Sequence, residues 1–239
     1  MVAYPGKKRT GAEHDVSICL SKVTLRGALC VPRGAAGIAI FAHGSGSSRL
    51  SPRNQYVAAE LQSQGVGTLL FDLLTPEEEA FDQRTGQLRF DIRLLAKRLV
   101  NVTHWVEGNS GTLGLRLGYF GASTGAAAAL TAVAQLPGKI SAVVSRGGRP
   151  DLAGEALGLV DAATLLIVGG DDEPVLSWNR IAFTDLGCRD KRIEIVPGAT
   201  HLFEEEGALA MVAELAGTWF ASHFSAAEEA PARKMAQEN

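Results

Sequence analysis

The stretch that decides the reading is residues 115–130, LRLGYFGASTGAAAAL. Its first six residues form a short apolar run with the length and residue types of a strand buried on both faces. From Thr124 onward the segment is alanine-rich and reads as a helix. Between the two stands Gly121-Ala122-Ser123-Thr124-Gly125, a G-x-S-x-G spacing. That spacing has a steric cause. A serine in so tight a strand-to-helix turn holds a strained backbone, and bulky neighbours two residues away would clash. The turn lifts Oγ out of the sheet at a helix N-terminus, where the dipole favours developing negative charge. With 27 glycines in the chain the spacing alone arises by chance, but a chance match seldom falls between a buried strand and a helix.

Outward from this stretch the alternation repeats. Apolar runs at residues 16–19, 23–31, 37–42, 68–71, 140–144, 163–168 and 192–196 read as further strands, the first two as an antiparallel pair. Helix-length segments at 53–64, 90–106, 124–135, 177–185 and 206–220 lie between them. The last of these carries Leu209, Val212, Leu215, Ala216 and Trp219 on one stripe. This order implies an α/β protein: a mostly parallel sheet of about eight strands with helices on both faces, and ligands at the carboxyl ends of the strands. Residues 74–88, LTPEEEAFDQRTGQL, are acidic and lack an apolar period, so an irregular, mobile rim is expected there. Residues 145–162 leave no room for a large cap.

The 239 residues suit one domain, expected over 15–224, with flexible ends at 1–14 and 225–239. Apolar residues at 46% and charged residues at 21% are an ordinary balance for a chain with a full core. A formal charge of -3, with the basic residues scattered, offers no field for nucleic acid or an anionic membrane. Cys19, Cys30 and Cys188 are odd in number, far apart and without a CxxC, which argues against a disulfide framework or zinc site and for a reducing, cytoplasmic setting. Lys7, Lys8 and Arg9 are followed by no apolar run, so no signal peptide is expected.

A nucleophilic serine needs a base. His201 lies in PGATHLF, after the last strand and before the last helix, while His14, His104 and His223 fall in the N-terminal segment, a helix pattern and the loose end. The orienting carboxylate should follow residues 163–168, where Asp171, Asp172 and Glu173 all stand. For the oxyanion, one donor is the backbone N–H of Thr124. The other is that of Ser45, in the loop His43-Gly44-Ser45-Gly46, whose HG start resembles the HGGG-type loops. That loop lacks the third glycine of a dinucleotide fingerprint and the GK[ST] of a P-loop, so a phosphate cradle is the weaker alternative. Arg146 stands just past the apolar run 140–144, after Ser145, and is a candidate to grip an acidic group on a substrate, or else to pair with Asp151 or Asp72.

HGSGSSRLSPRN, LLFDLLTPEE, GYFGASTGAAAAL, SRGGRPDLAG, LLIVGGDDEPV and VPGATHLF together resemble the dienelactone hydrolase-like branch of the α/β-hydrolases, over about residues 16–224. The order Ser123, Asp, His201 is that of this fold. Aligning Gly169, Asp172 and Val175 with the hydrolase pattern G-x-x-D-x-x-V selects Asp172 as the third member. The resemblance implies a single-domain hydrolase without metal or cofactor, acting on a small-molecule ester. Dienelactone hydrolases proper use a cysteine nucleophile where this chain has Ser123, so a simple carboxylic ester or lactone is the expected class. An acyltransferase or thioesterase on the same triad is the nearest alternative, and a non-catalytic ligand-binding α/β protein the alternative from another class.

Overall fold

A computed structural model describes residues 11–225. Eight strands form one sheet: β1 (Glu13–Cys19), β2 (Thr24–Cys30), β3 (Gly37–Ala42), β4 (Gly67–Phe71), β5 (Arg116–Ala122), β6 (Ile140–Arg146), β7 (Ala163–Gly169) and β8 (Lys191–Val196). Their order across the sheet is β1-β2-β4-β3-β5-β6-β7-β8. β2 runs antiparallel to both its neighbours, β1 and β4, and from β4 across β3, β5, β6 and β7 to β8 every pairing is parallel. The chain steps from β3 outward to β4 and then back past β3 to β5. The direction of winding therefore reverses at β3 and β5, and the crevice at their carboxyl ends is where such sheets bind ligands.

The continuous apolar runs are explained by helices on both faces. In β3, Ala39 and Phe41 face α1 (Pro52–Ser63) and α6 (Ala208–Ser225), while Ile38 and Ile40 face the opposite layer. That layer comprises α3 (Ile92–Gly108), α4 (Thr124–Val133) and α5 (Glu173–Asp185). Leu95, Leu99, Val102 and Val106 give α3 its buried stripe, and Asp91 caps it by accepting the Leu94 N–H at 3.0 Å. In α4, Ala126 to Ala129 are all fully buried, so their small side chains let this helix approach the sheet closely.

Three sequence expectations change. Residues 74–88 are no irregular rim, because α2 (Pro76–Thr85) forms there. A capping box starts it: Thr75 Oγ1 accepts the Glu78 N–H at 3.2 Å and Glu78 Oε2 accepts the Thr75 N–H at 2.9 Å. Gly86 ends it in the left-handed region at φ 66°. Nine-tenths of this helix has no core face, since Asp82 is its buried residue, so apolar periodicity could not reveal it. The last helix also runs past 220, to Ser225, because Phe224 packs on Gly37 and Gly118, where no side chain intervenes. His223 belongs to that helix, with Nε2 3.0 Å from Asp190. At the other end β1 begins at Glu13. The expected flexible ends otherwise lie outside the described residues.

The link from β6 to β7 holds only a 3-10 stretch, Pro150–Leu159, so no large cap covers the carboxyl edge there. No helix among the described residues is long and apolar enough to cross a membrane.

Candidate active site

Ser123 sits between the end of β5 and the first turn of α4, at φ 50° and ψ -122°. Positive φ costs a residue with a Cβ free energy, and Ser123 and Phe203 are the non-glycine residues that show it among those described. The turn closes only because Gly121 and Gly125 lack side chains. A Cβ on Gly121 would meet Ala126 of α4, and one on Gly125 would meet the carbonyls of Ala42 and His43. The Ser123 N–H donates to Arg146 O at 3.2 Å, and its carbonyl accepts from Arg149 N at 3.1 Å. These bonds tie the turn to the end of β6.

The loop after β3 lies against the serine: a Cβ built on Gly44 would come 3.1 Å from Ser123 Cβ. His43 anchors this loop. The Leu73 N–H donates to His43 Nε2 at 3.1 Å, so the ring proton is on Nδ1, which donates to Gly44 O at 3.0 Å. Burial lowers the His43 pKa below its usual 6.5, so the ring stays neutral with both nitrogens engaged. Asp72 fixes the loop further on, accepting the Arg49 backbone N–H and Nη1, each at 2.8 Å. The sequence reading used His43 only as the start of an HG motif. Its place directly after a buried strand is the available signal, but its partner, Leu73, comes from the segment after β4.

Beyond β7, Asp172 Oδ2 meets His201 Nδ1 at 2.7 Å, with the Asp172 side chain 11% and that of His201 39% exposed. Asp171 is exposed, and its backbone N–H bonds Ala199 O at 3.0 Å, holding the histidine loop from below. Gly169 also lets that loop come close, since a Cβ there would meet the carbonyls of Ala199 and Thr200. The Arg146-Gly147 peptide bridges the two halves of the site. Arg146 O holds Ser123, and a Cβ on Gly147 would lie 3.6 Å from His201 Nδ1.

Arg146 itself is buried at 7% exposure on the α1 and α6 face, its guanidinium carbon 5.9 Å from the Phe203 ring centre. The two acids considered as its structural partners are engaged elsewhere: Asp72 with Arg49, and Asp151 with Arg149. Phe203 is fully buried two residues after His201, at φ 55°, and pins the histidine loop to the core. Sequence reasoning passed over it as an ordinary apolar residue.

Ser45 and Thr124 both line a small cavity of about 10 Å³, together with Gly44, the residue that approaches Ser123. Ser45 also borders a larger one of about 610 Å³, walled by Ser47, Arg49, Arg53, Asp72 and Glu79 among others. Among the described residues no group of three or more His, Cys, Asp or Glu side chains could hold a metal ion.

No protein-family model matches the chain. A crystal structure of a dienelactone hydrolase from Anabaena variabilis is similar at 57% identity and a TM-score of 0.88, covering 90% of this chain and 99% of that one. Est1E from Butyrivibrio proteoclasticus shares the fold at 14% identity and a TM-score of 0.73, covering 88% of this chain and 99% of that one. A Mycobacterium tuberculosis protein provisionally named a phosphoribosyl transferase, found in two strains, is 54% identical over 211 residues, which are 88% of this chain. The matched region is 46% of that protein, so the chain spans about half the length of the curated relatives it matches. Fold, site geometry and the full-length likeness to the Anabaena enzyme agree: the chain belongs to the dienelactone hydrolase-like family of α/β-hydrolases.

Proposed function

We propose that this protein is a serine hydrolase that cleaves a small carboxylic ester or lactone through an acyl-enzyme intermediate. One observation carries the reading: the 2.7 Å contact of His201 Nδ1 with Asp172, on the sheet edge where a serine is held at φ 50°. Asp172 accepts the Nδ1–H of His201, which leaves Nε2 to take the Ser123 proton. Oγ attacks the carbonyl carbon, and the C=O electron pair moves onto oxygen, where the Ser45 and Thr124 N–H groups receive it. Collapse of that intermediate expels the alkoxide, which takes the proton from His201. A water then gives a proton to His201 and attacks the acyl carbon, and Ser123 departs with the proton returned to it. The α4 dipole adds to the stabilisation of the oxyanion. The larger cavity beside Ser45 is the space available to the rest of the substrate.

An alcohol or amine in place of water gives an acyltransferase, and a thioester substrate gives a thioesterase. The transferase name of the mycobacterial relative belongs to a protein more than twice the matched length, and we assign hydrolase chemistry to the half that corresponds to this chain. The test combines a fluorophosphonate probe with p-nitrophenyl esters of graded acyl length. Ser123 is expected to label, and Ser123→Ala and His201→Ala each to lose about 10⁴-fold or more in kcat, with the double variant scarcely worse. Near wild-type turnover by Ser123→Ala would sink the mechanism, and a protein that binds esters without labelling would be a binding module.

A further inference from the structure

We infer that the Thr124 side-chain hydroxyl, and not only its backbone N–H, donates to the developing oxyanion. This rests on the serine hydrolase reading above. Six threonines are buried among the described residues: Thr68, Thr75, Thr103, Thr112, Thr124 and Thr164. Five have hydroxyl partners. Thr103 bonds Leu99 O at 2.9 Å, Thr112 bonds Val106 O at 2.6 Å and Thr164 bonds Ala162 O at 2.9 Å. Thr68 accepts from Gln62 at 2.8 Å, and Thr75 is the cap of α2. Thr124 Oγ1 is the exception among these six, 3% exposed at the residue level and without a hydrogen-bond partner among the described residues; the hydroxyl of the half-buried Thr131, also unpartnered, is two turns along α4 and borders neither cavity described above.

The local backbone explains why the hydroxyl stays open. A helical threonine usually bonds the carbonyl three or four residues back. Thr124 is the first residue of α4, so those positions are Gly121 and Phe120, which lie in β5 and not in a preceding turn of helix. A buried hydroxyl left unsatisfied destabilises the fold, so its retention calls for a use. Ser145 Oγ is also buried without a partner, but it lies under α4 against Gly148 and borders neither cavity described above. Thr124 instead lines the cavity of about 10 Å³ together with Gly44 and Ser45, the segment that approaches Ser123 Cβ. A void of that size holds about one oxygen-sized group. The rest of its wall mixes Leu73, Leu74 and Leu95 with the polar His43, Ser47, Glu79 and Arg89, and a donor buried there bonds a charged oxygen more strongly than one exposed to water. No new covalent step is involved. The hydroxyl proton points at the carbonyl oxygen as it gains charge, beside the backbone donors.

Thr124→Val keeps the shape and removes the hydroxyl, and Thr124→Ser keeps the hydroxyl. With p-nitrophenyl acetate, Thr124→Val is expected to lower kcat about 100-fold with KM within about two-fold, the signature of an interaction made in the transition state. Its Tm should equal or exceed that of the parent, because an unsatisfied group has been replaced by a methyl. Thr124→Ser should recover kcat to within about five-fold. Labelling of Ser123 by the fluorophosphonate should slow in Thr124→Val in parallel with kcat. The inference is overturned if Thr124→Val turns over within two-fold of the parent, which would make the hydroxyl a packing defect. It is equally overturned if Thr124→Val loses kcat and Tm together and Thr124→Ser fails to restore kcat. Ser123→Ala, run in parallel, separates the two levels. A dead Ser123→Ala beside a wild-type Thr124→Val defeats this inference alone, whereas an active Ser123→Ala defeats the hydrolase mechanism beneath it.

Discussion

Gly125→Ala puts one methyl into the tightest contact behind the nucleophile. The built Cβ collides with Ala42 O and lies 2.6 Å from His43 O and 2.7 Å from Ala42 C, where ordinary contact begins at 3.4 Å. Relief therefore needs α4 and the end of β3 to part by roughly 1 Å, and both are backbone in a close-packed layer. Overpacking typically costs about 1–3 kcal/mol, and with no flexible side chain to yield the upper end applies. For a chain of this size about 3 kcal/mol corresponds to a Tm lowered by about 6–12 °C. The same displacement moves Ser123 and the Thr124 N–H relative to Ser45, and a shift of about 1 Å in a reacting group costs on the order of 100-fold in rate. Differential scanning calorimetry and the rate of fluorophosphonate labelling read the two effects separately. Gly108→Ala is the control: nothing lies within 4 Å of its built Cβ, at the end of α3, so the labelling rate should not move and Tm should hold or rise slightly. A Gly125→Ala protein with parental Tm and labelling rate would refute the claim that this glycine exists for the close approach.

Three further outcomes are expected. Asp172→Asn should lower kcat about 10⁴-fold by favouring the wrong His201 tautomer, while Asp171→Asn should cost far less because that side chain is exposed; steady-state kinetics showing the reverse ranking would overturn the assignment. His43 is neutral in the fold with its pKa lowered from 6.5, so the stability it contributes is complete above that pH and is lost as the pH falls below it, through protonation of the unfolded chain. Between pH 7.5 and 5, before most carboxylates titrate, the urea midpoint of the parent should therefore fall more than that of His43→Gln, and equal falls would exclude His43 as the cause. Arg146→Ala should lower Tm and harm acidic and neutral esters alike, since the guanidinium is buried beneath Phe203; a KM increase confined to carboxylate-bearing esters would instead establish substrate recognition.

What could be read from the sequence was whatever a local rule dictates. β3 was legible to the residue because a strand covered on both faces must be apolar throughout, and Gly37–Ala42 is bounded by turn residues. The Gly121-Ser123-Gly125 turn was legible because its sterics act within five residues. α2 was missed because no apolar stripe announces it, although its capping box from Thr75 to Glu78 stood in the sequence. Greater weight on capping chemistry than on periodicity would have found it.

The rest depended on partners brought from elsewhere in the chain. His43 is silent in isolation, and only β4, which delivers the Leu73 N–H to Nε2, makes it the fixed anchor of the loop that carries Ser45. Phe203 reads as ordinary core until the left-handed backbone at φ 55° places its ring beneath the histidine loop and over Arg146. The choice between Asp171 and Asp172 turned on a pattern alignment, because adjacent acids differ only in which way the turn aims them. The turn makes that choice physically: the Asp171 N–H is spent on Ala199 O, which draws the histidine loop down and leaves the Asp172 carboxylate at 2.7 Å from Nδ1. A site of this kind is thus built from residues that touch the substrate, which local rules disclose, and residues that aim them, which only tertiary contacts disclose. Thr124 Oγ1 crosses this division, since it is assigned to the groups that meet the substrate and yet only tertiary contacts disclose it. The sequence points only to the Thr124 N–H, and the hydroxyl gains significance from its place in the cavity beside Gly44 and Ser45, where Thr68, Thr75, Thr103, Thr112 and Thr164 have their hydroxyls engaged elsewhere.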